Sequence, residues 1–138
     1  MVYIIAALMA SLSFLLNRLF LRYIGPVTVI SLGPVAEEAA KTLLAYYLGA
    51  ELIAVHVIFG AIEAVYDWYQ EGGGLAAPAL SLAGHSLFGV ATAGVLAMTG
   101  TVWLGLAAGI ILHLVYNVAV IRLLAERAGK NSRKRDNP

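Results

Sequence analysis

The sequence of 138 residues contains no cysteine, so it can form neither a disulfide nor a thiolate metal site. Charged residues make up only 12% of it, which is about half the usual share in a soluble domain. The HExxH and GxSxG motifs of common hydrolases are absent, and the only aspartates are Asp67 and Asp136. This composition argues against a soluble enzyme, a nucleic-acid-binding domain and a disordered chain.

Long apolar runs are what the sequence does contain: 61% of its residues are hydrophobic and its mean hydropathy is +0.84. Each run is about 20 residues long, enough to cross a hydrocarbon core of roughly 30 Å, and helices satisfy their own backbone in lipid. We predict an all-α polytopic membrane bundle with about five transmembrane helices, forming one domain over residues 1–126 before a basic tail at 127–138. The predicted segments are 2–23, 27–48, 51–70, 79–99 and 101–124.

The basic residues predict the orientation. With five spans, the end of the first segment and the end of the last lie on the same side of the membrane. Eight of the nine Lys and Arg residues fall there, so the positive-inside rule predicts an outer N-terminus and a cytoplasmic C-terminus. These residues are Arg18, Arg22, Arg122, Arg127, Lys130, Arg133, Lys134 and Arg135.

Ionisable and polar residues inside the predicted spans are the main functional signal. A charged group at this depth costs about 2.5–3.5 kcal/mol on insertion scales, so such residues suggest a functional site. Six of them lie about 6 to 11 residues from the predicted cytoplasmic ends, or roughly 9–17 Å at 1.5 Å per residue: Glu37, Glu38, Glu63, His85, His113 and Asn117. We therefore predict one buried polar pocket in the cytoplasmic half of the bilayer, and we place His56 outside it. The predicted members are Glu37, Glu38, Lys41, Glu63, His85, His113 and Asn117.

These residues could have a purely structural role, in which Glu37 and Lys41 form an ion pair and leave Glu38 unpaired. Two kinds of catalytic chemistry are also consistent with them. A carboxylate that takes a proton from water, together with imidazole and amide groups, is suited to hydrolysing an amide bond. A metal ion such as zinc is the rival activator of the water, because two histidines and a carboxylate are suitable ligands. Its ligands would be His85, His113 and either Glu37 or Glu63.

Four motifs follow one another on successive segments: PVAEEAAK at 34–41, FGAIE at 59–63, HSLFG at 85–89 and HLVYN at 113–117. This ordered set resembles the PrsW family of intramembrane proteases, which is related to the CAAX prenyl protease and bacteriocin-processing superfamily. The resemblance implies a multi-pass endopeptidase of a prokaryotic cell membrane that cuts membrane-associated proteins or peptides.

The resemblance also implies roles for individual residues. The water-activating base would be Glu37 or Glu38, with Lys41 in a supporting role. His113 and Asn117 match the HxxxN pair that stabilises the oxyanion in the prenyl protease branch.

One position departs from the prenyl protease branch: Phe59 is followed by Glu63 where that branch has histidine. The departure favours the PrsW branch, and it leaves Glu63, His85 or His113 as the partner of the water. The resemblance is compatible both with a metal-free glutamic mechanism and with one divalent metal.

Two other functions are consistent with the sequence. Buried carboxylates and histidine also mark ion pathways, so the protein could be a proton or small-cation transporter or channel, although no internal repeat supports that. It could also be a non-catalytic membrane protein that binds peptides. The expected partners are the lipid bilayer and a membrane protein or peptide substrate, with no nucleic acid. A homodimer is a further option, because family members usually carry additional helices.

Overall fold

The computed structural model describes residues 1–25, 31–70 and 72–136, and their side chains except those of residue 17 and residues 124–136. The described chain contains helices and no strand, which confirms the predicted all-α fold. Its five helices are α1 (Val2–Tyr23), α2 (Leu32–Tyr47), α3 (Leu52–Gln70), α4 (Ala76–Thr99) and α5 (Val102–Asp136).

Four helical segments are long and apolar enough to cross a membrane: Val2–Tyr23, Leu52–Gln70, Ala76–Thr99 and Val102–Leu123. The chain is therefore a multi-pass membrane protein. The remaining helix, α2, has 16 described residues, and the first part of its predicted span, residues 27–30, lies outside the described residues. The predicted orientation rests on the charge distribution alone.

Two helix boundaries differ from the prediction. Helix α4 begins at Ala76 rather than at 79, because Pro78 lies in its first turn, where a missing N–H breaks no helical hydrogen bond. Helix α5 continues to Asp136, so the backbone of the predicted tail is helical as far as that residue, while the side chains of its basic residues lie outside the described set.

The distribution of buried residues is inverted relative to a soluble protein. Large apolar side chains are exposed along all five helices, whereas Glu38, Lys41 and His56 are among the largest side chains that are fully buried. Charged residues are almost never fully buried unless they are paired. The apolar exterior suits a lipid environment, and the polar interior requires a network of partners.

The helices pack so that α2 lies against α1, α3 and α5, while α3 packs on α4 and α4 on α5. An apolar cluster joins the first half of α1, the end of α2 and the first half of α3. It comprises Ile5, Met9, Ala45, Leu52, Val55 and Phe59. This arrangement brings the Glu37–Glu38 doublet of α2 beside α5, far from it in the sequence.

Candidate functional site

Glu38 is the centre of the buried polar cluster. Its side chain is 0% exposed, and its Oε1 lies 2.6 Å from the Lys41 ammonium. The same oxygen accepts a hydrogen bond from Nδ1 of His113 at 3.1 Å, while Oε2 lies 3.0 Å from Nε2 of His56. Three partners from α2, α3 and α5 thus hold this carboxylate away from solvent.

A second chain of hydrogen bonds runs from Lys41 to Glu63. Nζ of Lys41 lies 2.9 Å from Nδ1 of His85. Because an ammonium group only donates, Nδ1 of His85 accepts, and its proton is on Nε2. Nε2 then donates to Oε2 of Glu63. Lys41 therefore fixes the tautomer of His85 and links it to Glu38.

The pairing of Lys41 corrects one expectation. The alternative in which Glu38 stays unpaired is wrong, because Lys41 forms its ion pair with Glu38, three residues before it. Residues three apart on a helix are neighbours just as residues four apart are, so the spacing alone favoured neither carboxylate. The contacts with α3 and α5 are what make Glu38 the buried partner.

The prediction that His56 lies outside the polar cluster is also wrong. Its ring is fully buried, Nδ1 donates to the Leu52 carbonyl at 2.8 Å, and Nε2 faces Glu38. Both ring nitrogens of His56 therefore face oxygen acceptors. Residue counting gives the position of a group along its own helix. It does not show how neighbouring helices are tilted or shifted relative to that helix. No motif in the sequence identifies His56.

Aromatic rings pack against the polar cluster and form an apolar border around it. The Lys41 ammonium lies 4.2 Å from the centroid of the Phe59 ring, whose edge packs against His85. On the other side, Phe88 stacks on His113 with 4.4 Å between ring centroids. These rings exclude water from the ion pair, which strengthens the electrostatic interactions inside.

Glu37 differs from its neighbour Glu38 in what it faces. It is 5% exposed and lines a cavity of about 230 Å³ between the ends of α2 and α3 and the helices α4 and α5. This cavity has room for several water molecules. Glu38 is not among the described residues that line it. The predicted site residues that do so are Glu37, Glu63, His85, His113 and Asn117.

Asp67 extends the polar lining of this cavity towards the start of α4. It accepts a hydrogen bond from the hydroxyl of Ser81, and both residues line the cavity. Tyr116 also lines it and donates to the Leu80 carbonyl at 2.9 Å, which ties α5 to α4. The cavity therefore runs from the buried cluster to the end of the bundle that is predicted to be cytoplasmic.

Three residues could together hold a metal ion: Glu37, His85 and His113 each offer a ligand atom within 4.8 Å of the others. His113 fits this role. Its Nδ1 donates to Glu38, so its Nε2 carries no proton and can bind a metal ion. Metal-binding histidines commonly donate their other ring N–H to a carboxylate in this way. His85 fits less well. Both of its nitrogens already have partners, Lys41 and Glu63, so a metal ion would have to displace one of them.

Glycines allow the helices of the cluster to approach closely. A Cβ atom at Gly109 would lie 3.0 Å from Oε2 of Glu38 and still closer to the Thr92 hydroxyl, and one at Gly89 would lie 2.7 Å from Cβ of His56.

We expect Gly109→Ala and Gly89→Ala each to destabilise the protein by about 1–3 kcal/mol, the usual cost of overpacking. Thermal unfolding followed by circular dichroism in detergent measures this effect. Gly94→Ala on α4 is the matched control, because a Cβ there meets nothing within 4 Å, and it should leave the stability equal or slightly higher. Equal stability of all three variants would show that close helix approach does not maintain the cluster.

Comparison with protein-family models, with curated proteins and with solved structures gives no match to this chain.

Proposed function

We propose that this protein is an intramembrane endopeptidase in which Glu37 activates the attacking water. The observation that carries this proposal is the contrast within the doublet: Glu38 is enclosed by Lys41, His56 and His113, whereas Glu37 lines a cavity beside His113 that has room for several water molecules. A general base has to reach both the water and the substrate. Only the first carboxylate of the pair meets that requirement.

In the proposed reaction, Glu37 takes a proton from a water molecule in the cavity. The resulting hydroxide bonds to the carbonyl carbon of the substrate, and the carbonyl oxygen becomes an oxyanion. The amide group of Asn117, one turn beyond His113 on α5, donates to this oxyanion. The C–N bond then breaks, and the proton held by Glu37 passes to the leaving nitrogen, which yields one carboxyl and one amino terminus.

The two histidines beside the cavity have different proposed roles. Because Nδ1 of His113 donates to Glu38, its Nε2 accepts a hydrogen bond and orients the water rather than donating to the oxyanion. His85 holds Glu63 through its Nε2–H and is itself held by Lys41. Lys41 acts through His85 and Glu38, so it is a positioning residue.

The resemblance to the PrsW family supports the same reaction, since its four motifs supply Glu37, Glu63, His85, His113 and Asn117. A prokaryotic cell membrane as the location belongs to this proposal. Proton or cation transport and peptide binding without hydrolysis are the competing functions, and both would use the same buried groups.

The function is tested with the purified protein in proteoliposomes that also contain a single-span test protein. We expect two fragments of the test protein, and no pH-driven proton flux in the same vesicles. A proton transporter or channel would instead show proton flux and leave the test protein intact. A peptide-binding protein would bind the test protein without cutting it and would show no proton flux.

Metal dependence is a variant of this proposal, favoured by the proximity of Glu37, His85 and His113. Bound zinc would supply Lewis acidity and a more acidic water. We expect a strong chelator to leave the rate of cleavage unchanged, because both nitrogens of His85 are already hydrogen-bonded. Loss of cleavage with the chelator, followed by recovery when zinc is added, would make these residues metal ligands.

A further inference from the structure

A groove of about 1040 Å³ lies between α1 and α3, on the side of Glu37 and Glu63 that faces away from the small cavity. It follows α1 from Ala7 to Leu21 and α3 from Phe59 to Gln70. At 1.5 Å per residue it is roughly 15–20 Å long. Glu37, Glu63 and Asp67 line both spaces, so these carboxylates form the wall between the groove and the cavity.

The groove changes character along its length. One part is apolar, lined by Ala7, Ala10, Phe14, Phe59 and Ile62. The other part contains the three shared carboxylates and Gln70, with Arg18 as its only basic residue among the described lining. Three formal negative charges against one positive charge favour a basic occupant at this end.

A buried hydroxyl also lines the groove. Ser13 is 4% exposed, and its Oγ has no hydrogen-bond partner among the described residues. Buried polar groups in folded proteins normally have such a partner. The backbone carbonyl of a peptide is the kind of acceptor that this hydroxyl lacks.

We infer that the groove binds the cytoplasmic end of a transmembrane segment of another protein, with the apolar residues of that segment in the apolar part and the Lys or Arg residues that follow it beside the carboxylates. Membrane proteins carry an excess of Lys and Arg in the short stretches next to the cytoplasmic ends of their spans. The inference rests on the proposed function, and it adds a substrate class: single-span proteins with a basic juxtamembrane flank.

Geometry connects this groove to the reaction. A peptide in the groove lies against one side of the Glu37 and Glu63 carboxylates, while water in the cavity lies against the other. For the hydroxide and Asn117 to reach its carbonyl group, the scissile bond of the bound peptide passes these carboxylates and enters the cavity.

Cross-linking tests the inference, and the absence of native cysteine makes the chain suitable for it. Leu21→Cys is placed in the groove, and Leu19→Cys is the matched control. The two leucines are 46% and 50% exposed, but only Leu21 lines the groove, since residues two apart point to nearly opposite sides of a helix. Both variants also carry Glu37→Gln, so that the measurement does not depend on cleavage, and Glu63 and Asp67 remain as the carboxylates that select the basic peptide.

The probe is a synthetic apolar transmembrane peptide with a Lys-Arg flank and one cysteine at the start of that flank, together with a twin whose flank is Glu-Asp. In proteoliposomes we expect several-fold more disulfide with Leu21→Cys than with Leu19→Cys. The basic peptide should also exceed its acidic twin several-fold, and Asp67→Asn should reduce that preference.

Equal cross-linking at both positions, or none at either, would overturn the inference and assign the groove to lipid. Equal yields from the basic and acidic peptides would overturn its charge selectivity. Cleavage by the wild type without cross-linking at Leu21→Cys would refute the groove and leave the protease intact. Cross-linking at Leu21→Cys together with no cleavage by the wild type would support the groove and refute the proposed hydrolysis.

Discussion

Lys41→Met is expected to destabilise the protein by about 3–5 kcal/mol, the cost of removing one partner from a buried ion pair. The substitution leaves the fully buried Glu38 carboxylate without its ammonium partner at 2.6 Å, and it also removes the donor that fixes the tautomer of His85. Thermal or denaturant unfolding in detergent, followed by helical circular dichroism, measures the loss.

Two further variants separate the ion pair from other effects of the substitution. Thr42→Val changes the next residue, which is also fully buried and whose hydroxyl has no hydrogen-bond partner among the described residues, so the stability should stay nearly unchanged. Adding Glu38→Gln to Lys41→Met removes both formal charges and should recover part of the lost stability. Wild-type stability of Lys41→Met would contradict the buried pair.

Glu37→Gln is expected to fold like the wild type and to lose about 10²–10⁴-fold of the cleavage rate, the usual contribution of a general base. The amide keeps the size of the side chain but cannot take a proton from water. The rate is measured under single-turnover conditions in proteoliposomes, with the amount of folded protein matched by circular dichroism.

The control for this experiment is Glu51→Gln. Glu51 is exposed at the start of α3, where its carboxylate accepts a hydrogen bond from the Ile53 backbone N–H at 3.0 Å. The other carboxylate oxygen accepts from the Ala54 N–H, and glutamine retains only one acceptor oxygen, so the stability should fall slightly while the rate remains close to that of the wild type. A Glu37→Gln protein that cleaves at the wild-type rate would remove Glu37 from the reaction.

The helices were largely predictable because apolar run length directly reflects the thickness of a membrane. Residues 2–23 coincide with α1, and the turn at Gly100 coincides with a glycine at φ 68°, a conformation that ends helices readily. The start of α4 was missed because proline in the first turn of a helix resembles a break when only the sequence is visible.

The members of the polar cluster were predictable except for His56, but their connections were not. Intramembrane Glu, Lys and His residues are costly, so their presence in four segments indicated a shared site. Which carboxylate pairs with Lys41, and whether His56 reaches Glu38, depends on helix rotation, tilt and relative shift. These depend on contacts between distant residues, such as Gly89 against His56, and no local pattern encodes them.

The polar residues therefore divide into two layers. Glu38, Lys41 and His56 form an inner layer in which the charged groups contact one another. Substitutions there are expected to lower the stability of the protein. Glu37 and Asn117 lie in an outer layer that faces the cavity. Substitutions there are expected to lower the rate of the proposed cleavage. Measuring stability and turnover separately for each variant is what distinguishes the two layers.

The measurement that tests the central claim most directly is cleavage of the single-span test protein in heavy-oxygen water, by the wild type and by Glu37→Gln in parallel. Hydrolysis by an activated water predicts one heavy oxygen atom in the new carboxyl terminus of the wild-type product, and no product from Glu37→Gln. Intact test protein in both samples, together with a proton flux that Glu37→Gln abolishes, would contradict the protease and identify the buried groups as a proton pathway.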